Sequence, residues 1–159
     1  MSDLVFSSKG QALIGLYADM ANEGYERTDA VKVDVAFSDF ELRPYRKSLA
    51  KAFTQYGITS TLDYGCGGSS WETEGFDAES NKNAKDYFGL THAYHYEPAR
   101  EIDQRQKVDC VVSFDVLEHI YIADVANVLR DMFSYADTLI VLNVACYPAA
   151  AKLPNGENA

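Results

Sequence analysis

The sequence predicts an α/β domain built on an open, mainly parallel sheet with flanking helices, and three observations carry that expectation. The apolar run that begins at Ile58 ends in Asp63 and is followed by Gly65, Gly67 and Gly68. That is how a strand hands over to a loop whose backbone must turn sharply and admit a ligand closely. Further on, a strand-like run from Asp109 to Phe114 leads into a helical pattern from Ile122 to Tyr135 and then into a second apolar run, Asp137 to Val144. Strand, helix, strand in that rhythm implies parallel pairing through a crossover. The chain's 159 residues suit one domain with a sizeable core, although they are few for a complete doubly wound enzyme.

The elements follow in order. Residues 1–57 read as an amino-terminal helical segment, residues 58–147 as the core, and residues 148–159 as an irregular tail. From Lys9 to Gly24 the residues Leu13, Ile14, Leu16, Tyr17 and Met20 recur near helical spacing, and Gly24 offers a stop. Between Tyr25 and Asp39 a short alternation through Val31, Val33 and Val35 suits a loop or weak strand. Pro44 fits the first turn of a helix reaching Tyr56, with Leu49, Ala50, Phe53 and Tyr56 on one face and Gly57 as terminator. Ile58 to Tyr64 is the first strand of the main sheet, and Trp71 to Gly89 is polar with a loose helical pattern in its second half. Thr91 to Tyr96 is the next strand. In the helix from Ile122, Val125, Val128, Leu129, Met132 and Phe133 form the apolar face, and Asp137 to Val144 suits a strand buried on both sides.

Composition narrows the function. The balance of 14 basic against 24 acidic side chains, a net charge of −10, leaves no basic stripe for phosphates and argues against a nucleic-acid partner. The same field favours a cationic ligand. Cys66, Cys110 and Cys146 form no C-x-x-C pair, so no zinc knuckle or redox dithiol is encoded locally, and Cys110 and Cys146 suit buried, reduced packing. No stretch reads as a signal peptide or a membrane span, so a cytoplasmic protein is expected.

An open parallel sheet binds ligands outside the carboxyl ends of its strands, near the switch in strand order. The glycine loop falls at such an end. So does Glu97, where a carboxylate can accept hydrogen bonds from both hydroxyls of a ribose, and so does the segment Asp115 to His119. Leu62-Asp63-Tyr64-Gly65-Cys66-Gly67, Tyr96-Glu97-Pro98 and Phe114-Asp115-Val116-Leu117-Glu118-His119 together resemble the first, second and fourth motifs of class I S-adenosylmethionine-dependent methyltransferases. The tail, Asn143 to Pro148 and Leu153 to Asn158, is similar to a subgroup of such proteins from bacteria and their phages. The resemblance covers Ile58 to the end.

The resemblance implies a Rossmann-like fold and S-adenosyl-L-methionine as cofactor. Gly65, Cys66 and Gly67 would pass under its methionine part, with Asp63 orienting the loop or holding the amino group through water. Glu97 would grip the ribose hydroxyls, and Asp115, Val116 and Leu117 would line the central or methionine end. Ser69 stands where a third glycine is common in the family, and the stretch from Arg100 to Lys107 is short for the usual helix and third strand. The final strands of the family's seven-stranded sheet are expected to be missing, which leaves the strand ending near Val144 as an edge that a second copy or the tail could cover.

Methyl transfer depends on in-line positioning and desolvation, and a dedicated base is optional. His119 is the candidate base by type and place. Asp115, Glu118 and His119 also form a D-x-x-E-H cluster that a hard divalent ion would suit, although no fourth ligand is evident and the resemblance requires no metal. Trp71 suits stacking on a ligand or covering the core edge, and His92 and His95 read as structural. The acceptor is expected to be a small molecule, since no N-P-P-Y or D-P-P-Y segment follows Phe114 and no Pro-Cys pair supplies a cytosine-methylating nucleophile. Two alternatives stand beside this: a cofactor-binding remnant without turnover, and a nicotinamide-dependent oxidoreductase. The second is disfavoured because Glu97 lies about 30 residues past the glycine loop rather than roughly 20.

Overall fold

A computed structural model describes residues 4–26, 32–33, 40–147 and 152–157. In chain order the elements are α1 (Ser8–Glu23), β1 (Tyr25–Glu26), β2 (Lys32–Val33), α2 (Arg46–Tyr56), β3 (Ser60–Tyr64), α3 (Ala84–Phe88), β4 (His92–Glu97), β5 (Ile102–Asp103), β6 (Val108–Phe114), α4 (Ile122–Tyr135) and β7 (Ala136–Asn143). The fold is α/β. Its five-stranded main sheet runs β5-β4-β3-β6-β7, and β4, β3, β6 and β7 are mutually parallel, while β5 is antiparallel to β4. Chain order reverses between β3 and β6, the switch point at which an open sheet of this Rossmann-like kind leaves a crevice.

Local chemistry sets the helix ends. Ser7 caps α1 by accepting from the Gly10 N–H at 3.1 Å, and Gly24 ends it at φ 70°. Pro44 lies in a 3₁₀ turn, Arg43–Tyr45, that runs straight into α2, and Gly57 closes α2 in the left-handed region at φ 65°. The start of β3 is clamped by Asp109, whose Oδ2 accepts from both Thr59 groups and the Ser60 N–H at 2.8–2.9 Å. These three donors hold the Asp109 carboxyl below the usual carboxylate range.

Two apolar layers sandwich the sheet. One gathers Leu49 and Phe53 of α2, Trp71, Phe88 of α3, and Cys110 and Val112 of β6. The other joins Leu62 of β3, Val108 and Val111 of β6, and Val128, Met132 and Tyr135 of α4. Val108 and Val111 share a face although they are three apart, because a register shift between Val108 and Cys110 interrupts the alternation.

Several expectations change here. β7 was expected to be buried on both faces, yet it is the last strand of the sheet and none of its residues is fully buried. Leucine and valine there serve a half-covered edge. Phe133 was assigned to the inner face of α4 but is 66 % exposed, and the inward positions belong to Val128, Asp131 and Met132. Tyr56, expected on the packed face of α2, is 52 % exposed. Cys146 is exposed, not buried, because it follows the edge strand. Trp71 is fully buried in the core and so unavailable for stacking on a ligand. Val33 lies in the small β1–β2 hairpin, whereas Val31 and Val35 fall outside the described residues. The reduced edge is as expected, since the edge strand beside β4 is the two-residue β5. No helix among the described residues is long and apolar enough to cross a membrane.

Candidate functional site

The carboxyl ends of β3, β4 and β6 open into one cavity of about 330 Å³. Its floor comes from the strand exits: Asp63 to Gly67, Tyr96 to Arg100, and Phe114 to Val116 with His119. Its roof is α1 with the residue before its cap, which contribute Phe6, Leu13, Ile14, Tyr17 and Ala21.

The glycine loop is shaped by two hydrogen bonds and one close approach. Gly65 N–H donates to the Tyr96 carbonyl at 2.7 Å and Cys66 N–H to the same oxygen at 3.2 Å, which pins the loop to the end of β4. Gly65 has φ +84°, and a Cβ there would lie 2.5 Å from Val116 Cγ2. Glycine is required at 65 because the exit of β6 presses against it. Val116 therefore acts as the loop's backstop.

Asp63 is buried, and its Oδ2 accepts from the Trp71 indole N–H at 2.8 Å and lies 3.3 Å from Ser69 Oγ. Burial pushes its pKa up to about 6, against the lowering effect of the Trp71 hydrogen bond and of nearby His95. Its bonds run to the loop's own flanks, so its evident work is to orient Ser69 and Trp71 around the loop. Glu97 spans the other side. Its Oε2 accepts from the Gly67 N–H at 2.9 Å and its Oε1 from the Ala99 N–H at 3.1 Å. Burial raises its pKa, opposed by those two donors and by Arg100. Each carboxylate oxygen retains a second acceptor site, so a diol can be held without breaking the loop contact. Desolvation, with Asp63 and Glu97 beside it, also pushes the Cys66 thiol up, so the thiol stays protonated and the backbone of Cys66 is its useful part.

At the end of β6, Asp115 adopts φ 58° and its N–H donates to the Asn143 carbonyl at 3.1 Å, tying the exits of β6 and β7 together. Leu117, Glu118 and His119 form a 3₁₀ turn. Leu117 packs with the core layer on the α4 side rather than into the cavity wall. Glu118 accepts through Oε1 from the Ala145 N–H. The His119 ring meets Tyr17 of α1 edge-on, with centroids 6.0 Å apart at 63°. Its Nδ1 is buried without a hydrogen-bond partner. Asp115 and His119 line the cavity while Glu118 is tied to Ala145, and no group of three His, Cys, Asp or Glu among the described residues could hold a metal ion.

The structure thus brings Asp63, Gly65, Cys66, Gly67, Glu97, Asp115, Val116 and His119 to one cavity and leaves Leu117 beneath it. Sequence reasoning missed the roof. The stripe Leu13, Ile14 and Tyr17 was visible as an amphipathic face, but nothing in its spacing said that it covers a cavity rather than core. Burial raises the Tyr17 phenol, and Tyr25, Asp115, Glu118 and Glu97 raise it further, so the hydroxyl is un-ionised in an acidic neighbourhood. The buried Asp124 was missed as well: it accepts from Ser7 N–H at 2.8 Å and Ser7 Oγ at 2.7 Å, anchoring the start of α1 to the start of α4. Compared with known proteins, the chain matches no family model, no curated protein and no solved structure.

Proposed function

We propose that this cavity binds S-adenosyl-L-methionine and that the chain transfers its methyl group to a small-molecule acceptor. One observation carries the reading: Glu97, joined to the glycine loop through Gly67 N–H, stands in the same cavity as Asp115 at the switch point of a parallel sheet. A strand-end carboxylate suits a ribose diol, and a wall containing Asp63, Glu97 and Asp115 suits a ligand that carries positive charge. The cavity's 330 Å³ is within the range of small-molecule sites. When bound, the cofactor would supply an electrophilic methyl on a sulfonium.

The chain's own residues then have separate roles. Gly65 to Gly67 admit the ligand close to the backbone, and Glu97 fixes the ribose. The α1 roof limits water above the reacting end, and His119 lines the same cavity, where its ring can hydrogen-bond an acceptor. Because nothing orients Nδ1, His119 is better suited to positioning an acceptor than to taking its proton. Titration calorimetry tests the reading: S-adenosylmethionine should bind the wild-type chain, and Glu97→Ala should weaken that binding by about tenfold or more, as expected for lost hydrogen bonds to a charged group. Binding of NAD without S-adenosylmethionine would contradict it. Binding without methyl release to any acceptor in a metabolite pool would leave a cofactor-binding domain without turnover.

A further inference from the structure

Strand β7 ends the sheet on one side, and its outer edge is unguarded. The Asn143 carbonyl accepts from the Asp115 N–H on the β6 side, so by alternation Ile140 and Leu142 turn their backbone N–H and C=O groups outward. Only β6 pairs with β7, and no hydrogen bond among the described residues reaches those outward groups. Val108 faces Ala136 but Cys110 faces Leu139, so one extra residue sits near the start of β7 and Leu139 to Asn143 form a regular run. That run holds no Pro, Gly or charged residue, the usual means of blunting an edge. The one charge on β7, Asp137, is paired with Lys107 at 2.9 Å.

The outer face of α4 continues the patch. Ile122, Ala126, Leu129 and Phe133 recur at intervals of four, three and four residues, which sets them in one apolar stripe. Ile122 is 88 % exposed and Phe133 is open as well. On the opposite flank of the helix Asn127 bonds the Val5 carbonyl at 3.3 Å and Asp131 meets Arg105, so the stripe is turned toward β7. The chain passes from Tyr135 directly into Ala136 and β7 runs back along α4. Ile140 packs on the α4 side of the sheet, and by alternation Leu142 shares that side, so both lie beside the stripe.

We propose that this patch is a two-fold interface with a second copy of the chain, in which β7 pairs antiparallel with its own symmetry mate about Val141. A two-fold there sets Ile140 of each copy opposite Leu142 of the other, so the outward backbone groups find partners and both side-chain pairs are apolar. About five strand residues at 3.3 Å lead from Ala136 to Val141, a span that about eleven helical residues at 1.5 Å retrace. The axis therefore passes level with the Ile122 to Leu129 part of the stripe, and the two stripes meet across it. The described part of the tail does not compete, because Glu157 is bonded to the Tyr121 hydroxyl ahead of α4 and β7 takes no strand partner from it. A closed two-fold also leaves no open edge at β7. The net charge of −10 opposes association at long range, but about 0.15 M salt screens it beyond about 8 Å, while apolar burial and backbone pairing persist.

The interface is independent of the cofactor reading and is tested on the full chain. Sedimentation equilibrium at about 0.15 M salt should show a monomer–dimer equilibrium with a Kd of about 1–100 μM. Ile122→Glu and Leu142→Lys, both at exposed positions, should each weaken dimerisation about tenfold or more, whereas Tyr56→Glu, at an exposed position on α2, should leave it within about twofold. An acid at the first residue of α4 suits the helix dipole, so Ile122→Glu should fold as the wild type does. Amide exchange of the wild type reads the strand pairing without any substitution. On dilution from about 500 to about 5 μM, Ile140 and Leu142 should exchange faster while Leu139 and Val141, turned toward β6, change little. A chain that stays monomeric to about 1 mM, a dimer indifferent to both substitutions, an assembly larger than a dimer, or Ile140 and Leu142 amides unaffected by dilution would each overturn the proposal.

Discussion

Asp63 joins the sheet to the loop, and its burial gives stability a measurable pH dependence. Its folded pKa of about 6 lies above the unfolded value near 3.8, so the folded chain holds this proton more tightly than the unfolded chain does. Stability from this group is therefore greatest below about pH 4 and falls as pH rises through the window from about 4 to 6, by up to roughly 3 kcal/mol. Other acids titrate in the same range, so the comparison must be with Asp63→Asn, which keeps an acceptor for the Trp71 indole. The difference in urea-unfolding free energy between variant and wild type should grow in the variant's favour from pH 4 to 7; a difference independent of pH would show that Asp63 titrates normally. Gly65 and Asp115 illustrate the other kind of residue-scale constraint. Both have positive φ, but at Gly65 the Val116 side chain forbids a Cβ, whereas at Asp115 the chain tolerates the left-handed region and keeps a carboxylate at the cavity wall.

At the scale of elements, α1 is held less by core than by its start. Its buried residues are Gly10 and Met20, and the cap at Ser7 is tied to Asp124 of α4 by two hydrogen bonds. Gly10 fits only because it lacks a side chain: a Cβ there would come within 2.3 Å of Asp124 Oδ2. Asp124→Ala should release this anchor at a cost of about 2 kcal/mol, within the range for hydrogen bonds to a charged group. Amide hydrogen exchange should then quicken over Ser8–Glu23 while β3 and β6 remain protected, and affinity for the proposed ligand, S-adenosylmethionine, should fall because the roof is loosened. Uniformly faster exchange across β3 and β6 would show that the contact supports the whole domain and not the roof alone. A contrasting network braces the opposite end of α4. Arg105 bonds Asp131 at 2.8 Å and chelates Asp103, while Asp131 also accepts from the Tyr64 hydroxyl at 2.8 Å. It secures the short β5 edge and helps explain how so reduced an edge persists.

For the whole molecule, what the sequence disclosed follows from how locally each feature is determined. The strands and α4 were readable because hydrophobic period and turn residues specify them over a few positions, and the motifs at Asp63 to Gly67, Glu97 and Asp115 were readable because a parallel sheet sends all its strand exits to one end. The role of α1 was not readable: a stripe of Leu13, Ile14 and Tyr17 has the same spacing whether it meets a core or roofs a cavity. Phe133 and β7 were misjudged because an apolar residue beside an exposed sheet edge has the same spacing as a buried one. The buried, unpartnered Nδ1 of His119 is a product of the packing around it and exists only in three dimensions. The central claim joins these scales, for it requires the loop, Glu97 and the roof to serve one ligand. A crystal structure of the chain with S-adenosylhomocysteine tests it most directly. The account predicts ribose hydroxyls within hydrogen-bonding distance of the Glu97 carboxylate, the amino-acid end over Gly65 to Gly67, and Tyr17 of α1 above it; a nucleoside bound elsewhere, or with its ribose turned away from Glu97, would contradict it.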